Sequence, residues 1–330
     1  MTAVARILES GTKSLFGLAE RLISPRLSIL IFHRVHAAPD PLFPEEMTAQ
    51  RFRDLCRWVK ASFNVMTLGQ ALRHLRAGTL PVRALTITFD DGYADNAEVA
   101  VPILLEHGLE ATFFIATGFL DGGRMFNDTV IECIRSAGRE DIDLTEFGLG
   151  RRDMHTAVNR RGVIDELLPK FKHLQLNARE SALKSLLGLA QQPSLASGLM
   201  MRSAQVQQIH RAGMEIGGHT VNHPILQVLS DTDAEREVMQ GRDHLEQLVE
   251  APVTCFAYPN GRPTLDYAAR DVALIRRLGF SGAVSTAPGV VKPGADQFQL
   301  PRFTPWDRSH AQWLARLALT RARGRSPSVV

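Results

Sequence analysis

The sequence has no Cys-x-x-Cys pair. Its three cysteines, Cys56, Cys133 and Cys255, are odd in number and widely spaced, which excludes a disulfide framework and a thiolate zinc site and fits a reducing compartment. Charge of one sign is also lacking: a net +3 over 330 residues calls for no nucleic-acid partner. Long apolar runs are missing too. The opening stretch MTAVARILESGTKSLFGLAERLI has no continuous apolar h-region of a secretory signal. The nearest strongly apolar run, residues 27–32, is far shorter than a membrane span. A cytoplasmic protein is expected. Leu15, Phe16, Leu18, Leu22 and Ile23 share one helical face, so residues 1–25 are expected to form a helix packed on the body.

What is present is ordinary in amount and informative in arrangement. An apolar fraction of 45% with 22% charged residues describes a globular chain able to bury a sizeable core. Short apolar runs recur at residues 27–32 (LSILIF), 84–89 (ALTITF), 111–115 (ATFFI), 214–217 (MEIG), 253–258 (VTCFAY), 280–285 (FSGAVS) and 298–300 (FQL). Bounded by Gly, Pro and Asp, they predict seven buried strands. Helical spacing occupies the intervals, as at 49–62, 94–107, 203–212, 230–250 and 266–278. Alternating strand and helix predicts an α/β fold with a parallel sheet, closed or nearly closed into a barrel. Residues 121–201 break this rhythm, with polar and helical segments and no strand. They are expected to form an insertion after the 111–115 strand, either a passive cap or a lid that binds substrate. Residues 311–330 predict a helix running into a basic tail. Its Trp313, Leu314, Leu317 and Leu319 beside Arg316, Arg321, Arg323 and Arg325 suit docking on the barrel, with peripheral contact to anionic lipid as the alternative. The whole is expected to be one domain.

The unusual polar residues fall where the predicted strands end. His33 follows LSILIF, Asp90 and Asp91 follow ALTITF, His219 follows MEIGG, Pro259-Asn260-Gly261 follows VTCFAY, and Arg302 follows FQLP. In a parallel barrel those ends share the face that carries the active site. Adjacent carboxylates after a buried strand are costly unless solvated, capped or bound to a cation. Two histidines four apart, His219 and His223, are expected to share one face of a helical turn and to chelate one cation. Two His and one Asp make the three-ligand set of a catalytic metal with an open position for water, leaving the second Asp free as a base.

Three segments taken in order, TFDDGY (88–93), HTVNH (219–223) and FAYPNG (256–261), resemble the polysaccharide deacetylases, the NodB-homology domain of carbohydrate esterase family 4. The ILIFHRV segment and the FAYPNG form resemble its exopolysaccharide-biosynthesis branch. The resemblance spans roughly residues 27–303 and implies a distorted (β/α) barrel, usually of seven strands. It implies a metal, usually zinc, held by Asp91, His219 and His223, with Asp90 as base and the Asn260 backbone N–H as oxyanion donor. His33, Tyr258, Pro259, Gly261 and Trp306 are the expected substrate contacts. The sequence departs from the family in two places. Ala257 stands where an Arg is usual, and Arg302 stands where a His usually serves as general acid; no Asp/Trp fourth motif is found near residues 281–288. Arginine keeps its proton at working pH but pairs well with a carboxylate. Arg302 is therefore expected to reach across the barrel mouth and orient Asp90.

The implied reaction is removal of N-acetyl groups from a poly- or oligosaccharide of N-acetylhexosamine units, in exopolysaccharide or cell-envelope glycan synthesis, in the cytoplasm or peripherally at the inner membrane face. O-acetyl ester hydrolysis and a catalytically inactive glycan-binding partner of a polysaccharide synthase are the alternatives.

Overall fold

The computed structural model describes residues 25–307, 309–323 and 330. The expected N-terminal helix, up to residue 24, and residues 324–329 of the tail lie outside them. Seven parallel strands form the wall: β1 (Ser28–Phe32), β3 (Ala84–Phe89), β4 (Thr112–Ile115), β7 (Glu215–Gly218), β8 (Cys255–Ala257), β9 (Gly282–Pro288) and β10 (Leu300–Arg302), hydrogen-bonded in that order. Phe303, just past β10, donates its N–H to Ile29 O (2.7 Å) and accepts from Ile31 N–H (3.2 Å), so the sheet nearly closes on itself. A two-residue strand, β2 (Asn64–Val65), pairs with the start of β3.

Strand alternation divides the wall into two layers. Leu85, Ile87 and Phe89 face outward into the larger apolar cluster with Phe52, Leu55 and Val59 of helix α1 (Ala49–Ser62). Ile29, Phe114, Ala257, Val284 and Leu300 make a second cluster inside the barrel, together with Leu68 and Leu72 of helix α2 (Leu68–Ala77). Each fully buried Leu or Phe contributes roughly 1.5–3 kcal/mol. Thr86 and Thr88 share the inward phase, and Asp90 continues it past the end of β3. Hence an acid emerges at the mouth without any distortion of the strand.

The 121–201 stretch is mainly helical: α4 (Phe126–Ser136), α5 (Ala157–Lys172) and α6 (Leu176–Leu189) pack around their own apolar cluster. Contrary to expectation it contains strands, a hairpin of β5 (Asp141–Asp143) and β6 (Arg151–Asp153). Helices α3 (Val101–Glu106), α7 (Ser203–Arg211), α8 (Asp231–Val249) and α9 (Ala269–Arg277) return the chain between strands. Helix α10 (His310–Arg323) docks on the barrel: Trp313 and Leu317 are fully buried, while Leu319 is exposed. Arg321 donates to Ser28 Oγ (2.7 Å) and Arg26 O (3.0 Å) at the start of β1. Truncation after Thr320 removes this buried tie, and a lowered melting temperature in a calorimetric scan is the expected result. Among the described residues no helix is long and apolar enough to cross a membrane. The three cysteines are buried and free.

Candidate active site

Asp91 leaves the strand in a left-handed conformation (φ 78°), followed by Gly92 (φ 89°). Asp tolerates this region better than most residues. A Cβ on Gly92 would stand 3.0 Å from Ile115 Cγ2. The turn therefore swings both carboxylates into the mouth, where one strand phase alone would have separated them.

The His219–His223 segment is not the helical turn that the spacing suggested. It is a loop after β7, with Thr220 (φ 66°) and His223 (φ 51°) both left-handed. Its shape is imposed from outside. Glu237 of α8 accepts hydrogen bonds from Val221 N–H (3.0 Å), Asn222 N–H (2.8 Å) and Asn222 Nδ2 (2.7 Å). On the other side Thr117 and Gly118 N–H bind the carbonyls of Thr220 (3.2 Å) and Val221 (2.9 Å). Sequence reasoning missed Glu237, because a Glu in an amphipathic helix gives no signal of a loop it will cap. Gly241, one turn on, is the closest approach: a Cβ there would sit 2.8 Å from the Thr220 carbonyl carbon. Gly241→Ala should favour the helix itself by about 1 kcal/mol, yet displace the loop. The expected outcome is metal retention weakened roughly 10–100-fold, as for other groups that orient ligands, read as residual metal after dialysis against graded chelator.

The loop brings the histidines together, with ring centroids 4.7 Å apart. Both Nε2 atoms lie 3.3 Å from Asp91 Oδ1. Donor atoms of Asp91, His219 and His223 all lie within 4.8 Å of one another, and Asp91 Oδ1 is buried with no hydrogen-bond partner. His219 Nδ1 faces the Ala257 carbonyl at 2.7 Å. This contact places the ring proton on Nδ1 and leaves Nε2 as a ligand. Burial drives the His223 pKa down to about 3, so its imidazole is neutral. Burial opposes charge on Asp91 and on His219 as well. The close approach of the two and the neighbouring charges outweigh it, holding Asp91 low and His219 high. An orphaned carboxylate oxygen between two converging imidazoles fits a divalent cation, and a cation entering the set would displace the His219 proton.

Asp90 is held by Arg302. Nη1 and Nη2 donate to the two carboxylate oxygens at 2.7 and 2.6 Å. Nε donates to Ser285 O (2.8 Å) and Nη1 also reaches Thr88 Oγ1 (3.2 Å). Asp90 is 2% exposed and Arg302 1%, a geometry in which removal of one partner costs about 3–5 kcal/mol. Burial works against the Asp90 charge, but the Arg302 charge and hydrogen bonds outweigh it and keep the carboxyl below its usual range. The pairing expected from the Ala257 and Arg302 departures is thus present.

The cleft over these groups has a volume of about 460 Å³. His33, Asn260, Arg262 and Thr286 line the barrel side, and Phe126, Asn127, Leu168, Pro169, Lys172 and His173 of the insertion line the other. The insertion therefore forms a wall of the cleft. Several expected substrate contacts lie elsewhere. Tyr258 is fully buried, its ring stacked on Tyr267 at 4.0 Å and its hydroxyl donated to Phe298 O (3.0 Å), so it has no face to offer a sugar. Pro259 and Gly261 are buried in the turn beneath the cleft. Gly261 (φ 67°) has no room for a Cβ, which would meet Tyr258 O at 2.9 Å. Trp306 is 68% exposed and outside the cleft lining. Of the five, His33 alone faces the cleft.

Comparison with known proteins agrees with this geometry. The sequence matches the polysaccharide deacetylase family over residues 77–283, more than half of its length. The chain belongs to the polysaccharide deacetylase family. The deacetylase is 19% identical over 279 residues to YxkH of Bacillus subtilis (strain 168), covering 84% of this chain and 70% of that one. It is 26% identical over 146 residues to the poly-beta-1,6-N-acetyl-D-glucosamine N-deacetylase of Staphylococcus aureus (strain MRSA252). That alignment covers 41% of this chain and half of the relative. Its fold is shared with the Streptococcus pyogenes deacetylase PplD, solved in complex with acetate (TM-score 0.59, 20% identity, 88% and 97% of the two chains). IcaB from Ammonifex degensii is similarly close (TM-score 0.58, 17% identity, 90% and 97%).

Proposed function

We propose that this deacetylase is a metal-dependent hydrolase of N-acetyl groups on a poly- or oligosaccharide of N-acetylhexosamine units, with Zn2+ as the metal. The observation that carries the reading is the Asp91, His219 and His223 donor set beside a carboxylate fixed by Arg302, all at the mouth of one barrel. The N-deacetylase name of the Staphylococcus relative supports the substrate class. Synthesis of an exopolysaccharide or cell-envelope glycan, in the cytoplasm or at the inner membrane face, is part of the same proposal, and cell fractionation tests the location.

Asp91, His219 and His223 would hold a divalent cation, which would supply Lewis acidity for the acetyl carbonyl and for a water. Asp90 takes a proton from the attacking water. Arg302 occupies one lone pair on each Asp90 oxygen and leaves the others to accept. The Asn260 N–H sits in a turn closed by Gly261 N–H on Pro259 O (2.7 Å) and is assigned to the developing oxyanion. Because Arg302 stands where a histidine usually serves as general acid and cannot give up its proton, Asp90 returns its proton to the sugar nitrogen as the C–N bond breaks, giving the amine and acetate. Acetate release from an N-acetylglucosamine oligomer, measured before and after exhaustive chelation, is the test. Full activity in the chelated protein refutes the metal, and acetate released only from O-acetyl glycans refutes the amide substrate.

A further inference from the structure

A second chamber of about 210 Å³ opens beside the cleft, sharing His33, Asp91 and Asn127 with it. Two ion pairs close part of its charge, and Glu46 adds an exposed carboxylate to the lining. Arg34 pairs with Asp95 (2.8 Å), and Arg135 makes two bonds to Asp40 (2.9 and 2.7 Å). Spare capacity lies at the start of α4. Asn127 Nδ2 donates to Tyr93 Oη (3.2 Å), and Tyr93 Oη donates to Asp128 Oδ1 (3.2 Å). This relay uses one polar atom of each flanking residue. It leaves Asn127 Oδ1 and Asp128 Oδ2 buried with no hydrogen-bond partner, and Asp128 as a whole is 3% exposed. Buried polar atoms are normally satisfied, and both residues line this one chamber, so the two oxygens mark a place for a ligand that donates.

The chemistry of that ligand is restricted. An anionic group would meet Asp91 and Asp128 together and be repelled. Burial lifts the Asp128 pKa to about 7, so both protonation states are populated near neutrality. A hydroxyl donates and accepts, and it pairs with either state while also donating to Asn127 Oδ1. We propose that Asn127 and Asp128 form a subsite for a free hydroxyl of the sugar that carries the N-acetyl group, and so select which acetylated sugars reach Asp90 and Asp91. The inference rests on the deacetylase reading for the identity of the sugar.

Calorimetric binding of an N-acetylglucosamine trimer and its monodeoxy counterparts decides it, using the full metal-loaded chain in an Asp90→Asn background so that the trimer persists. The parent trimer should bind roughly 10–100-fold more weakly once Asn127→Ala or Asp128→Ala is added, the ordinary worth of a buried polar contact. One monodeoxy trimer should show a loss of the same size with Asn127 and Asp128 intact and no further loss with either variant. Asp128→Asn keeps an acceptor for the Tyr93 hydroxyl and replaces Asp128→Ala should that variant fold poorly. The subsite is overturned if the variants bind every trimer as the unsubstituted site does, or if the unsubstituted site binds none. Acetate release by the chain with Asp90 intact separates the two readings. Trimer binding that is sensitive to Asn127 and Asp128, without acetate release, upholds the subsite and refutes the deacetylase.

Discussion

Asp91→Ala, His219→Ala and His223→Ala should each yield a folded chain that retains no divalent cation after dialysis and releases no acetate. Each replacement removes one of three donors lying within 4.8 Å of one another, and no fourth acidic or histidine side chain joins that set among the described residues. A four-ligand structural zinc site is worth roughly 10–16 kcal/mol, or about 2.5–4 kcal/mol per ligand. Loss of one should therefore weaken binding on the order of 100-fold or more. The cost to the fold should be small, since the Asp91 oxygen between the imidazoles has no hydrogen-bond partner to lose. His219→Ala also frees the Ala257 carbonyl that His219 Nδ1 faces and should lower the melting temperature most. Metal analysis after dialysis with a melting curve on the same sample checks both. Full occupancy in all three variants would sink the ligand assignment.

The barrel was legible because its strands are short apolar runs stopped by Gly, Asp or Pro, and each of the seven runs falls on or against one of the seven strands. β2 was not legible: two residues, Asn64 and Val65, carry no period. The hairpin in the insertion is built from Asp141, Asp143, Arg151 and Asp153, residues that read as loop. Spacing placed His219 and His223 together but gave the wrong local structure, since the left-handed Thr220 and the Glu237 cap depend on contacts remote in sequence. Tyr258 misled for the opposite reason. Its apolar run is buried on both faces, so a strand-end aromatic near the motif belongs to the core. Residues 126–128 begin α4. That the same residues also face the chamber follows only from where α4 sits over the mouth. The Arg302–Asp90 contact, by contrast, was inferable from two departures taken together, because an orienting cation missing at Ala257 must be supplied from elsewhere on the rim.

That contact sets the second large effect. Asp90→Asn keeps the size of the side chain and removes the base, so a loss of kcat on the order of 100-fold or more is expected with metal content unchanged. If the variant instead lost its metal and recovered activity in excess zinc, the roles of Asp90 and Asp91 would be reversed. Arg302 acts on the same carboxylate through its charge. With Arg302 present, the Asp90 carboxyl is held below its usual range despite its burial. Arg302→Gln removes the charge and leaves the burial, which favours the protonated acid. The acid limb of the kcat/KM profile should therefore move to higher pH, so that activity is lost earlier as pH falls and recovers partly as pH rises. The same sign governs stability: a carboxylate depressed in the folded state stabilises the fold above its unfolded pKa and loses that contribution as pH falls through the folded value. Arg302→Gln should thus lower the melting temperature most at neutral pH and least in acid. Arg302→Lys keeps the charge and gives up the two-pronged geometry, so it should cost less activity than Asp90→Asn and shift the acid limb less than Arg302→Gln. A pH–rate profile of Arg302→Gln superimposable on that of the unsubstituted protein would show that Arg302 supports the barrel mouth without tuning the base.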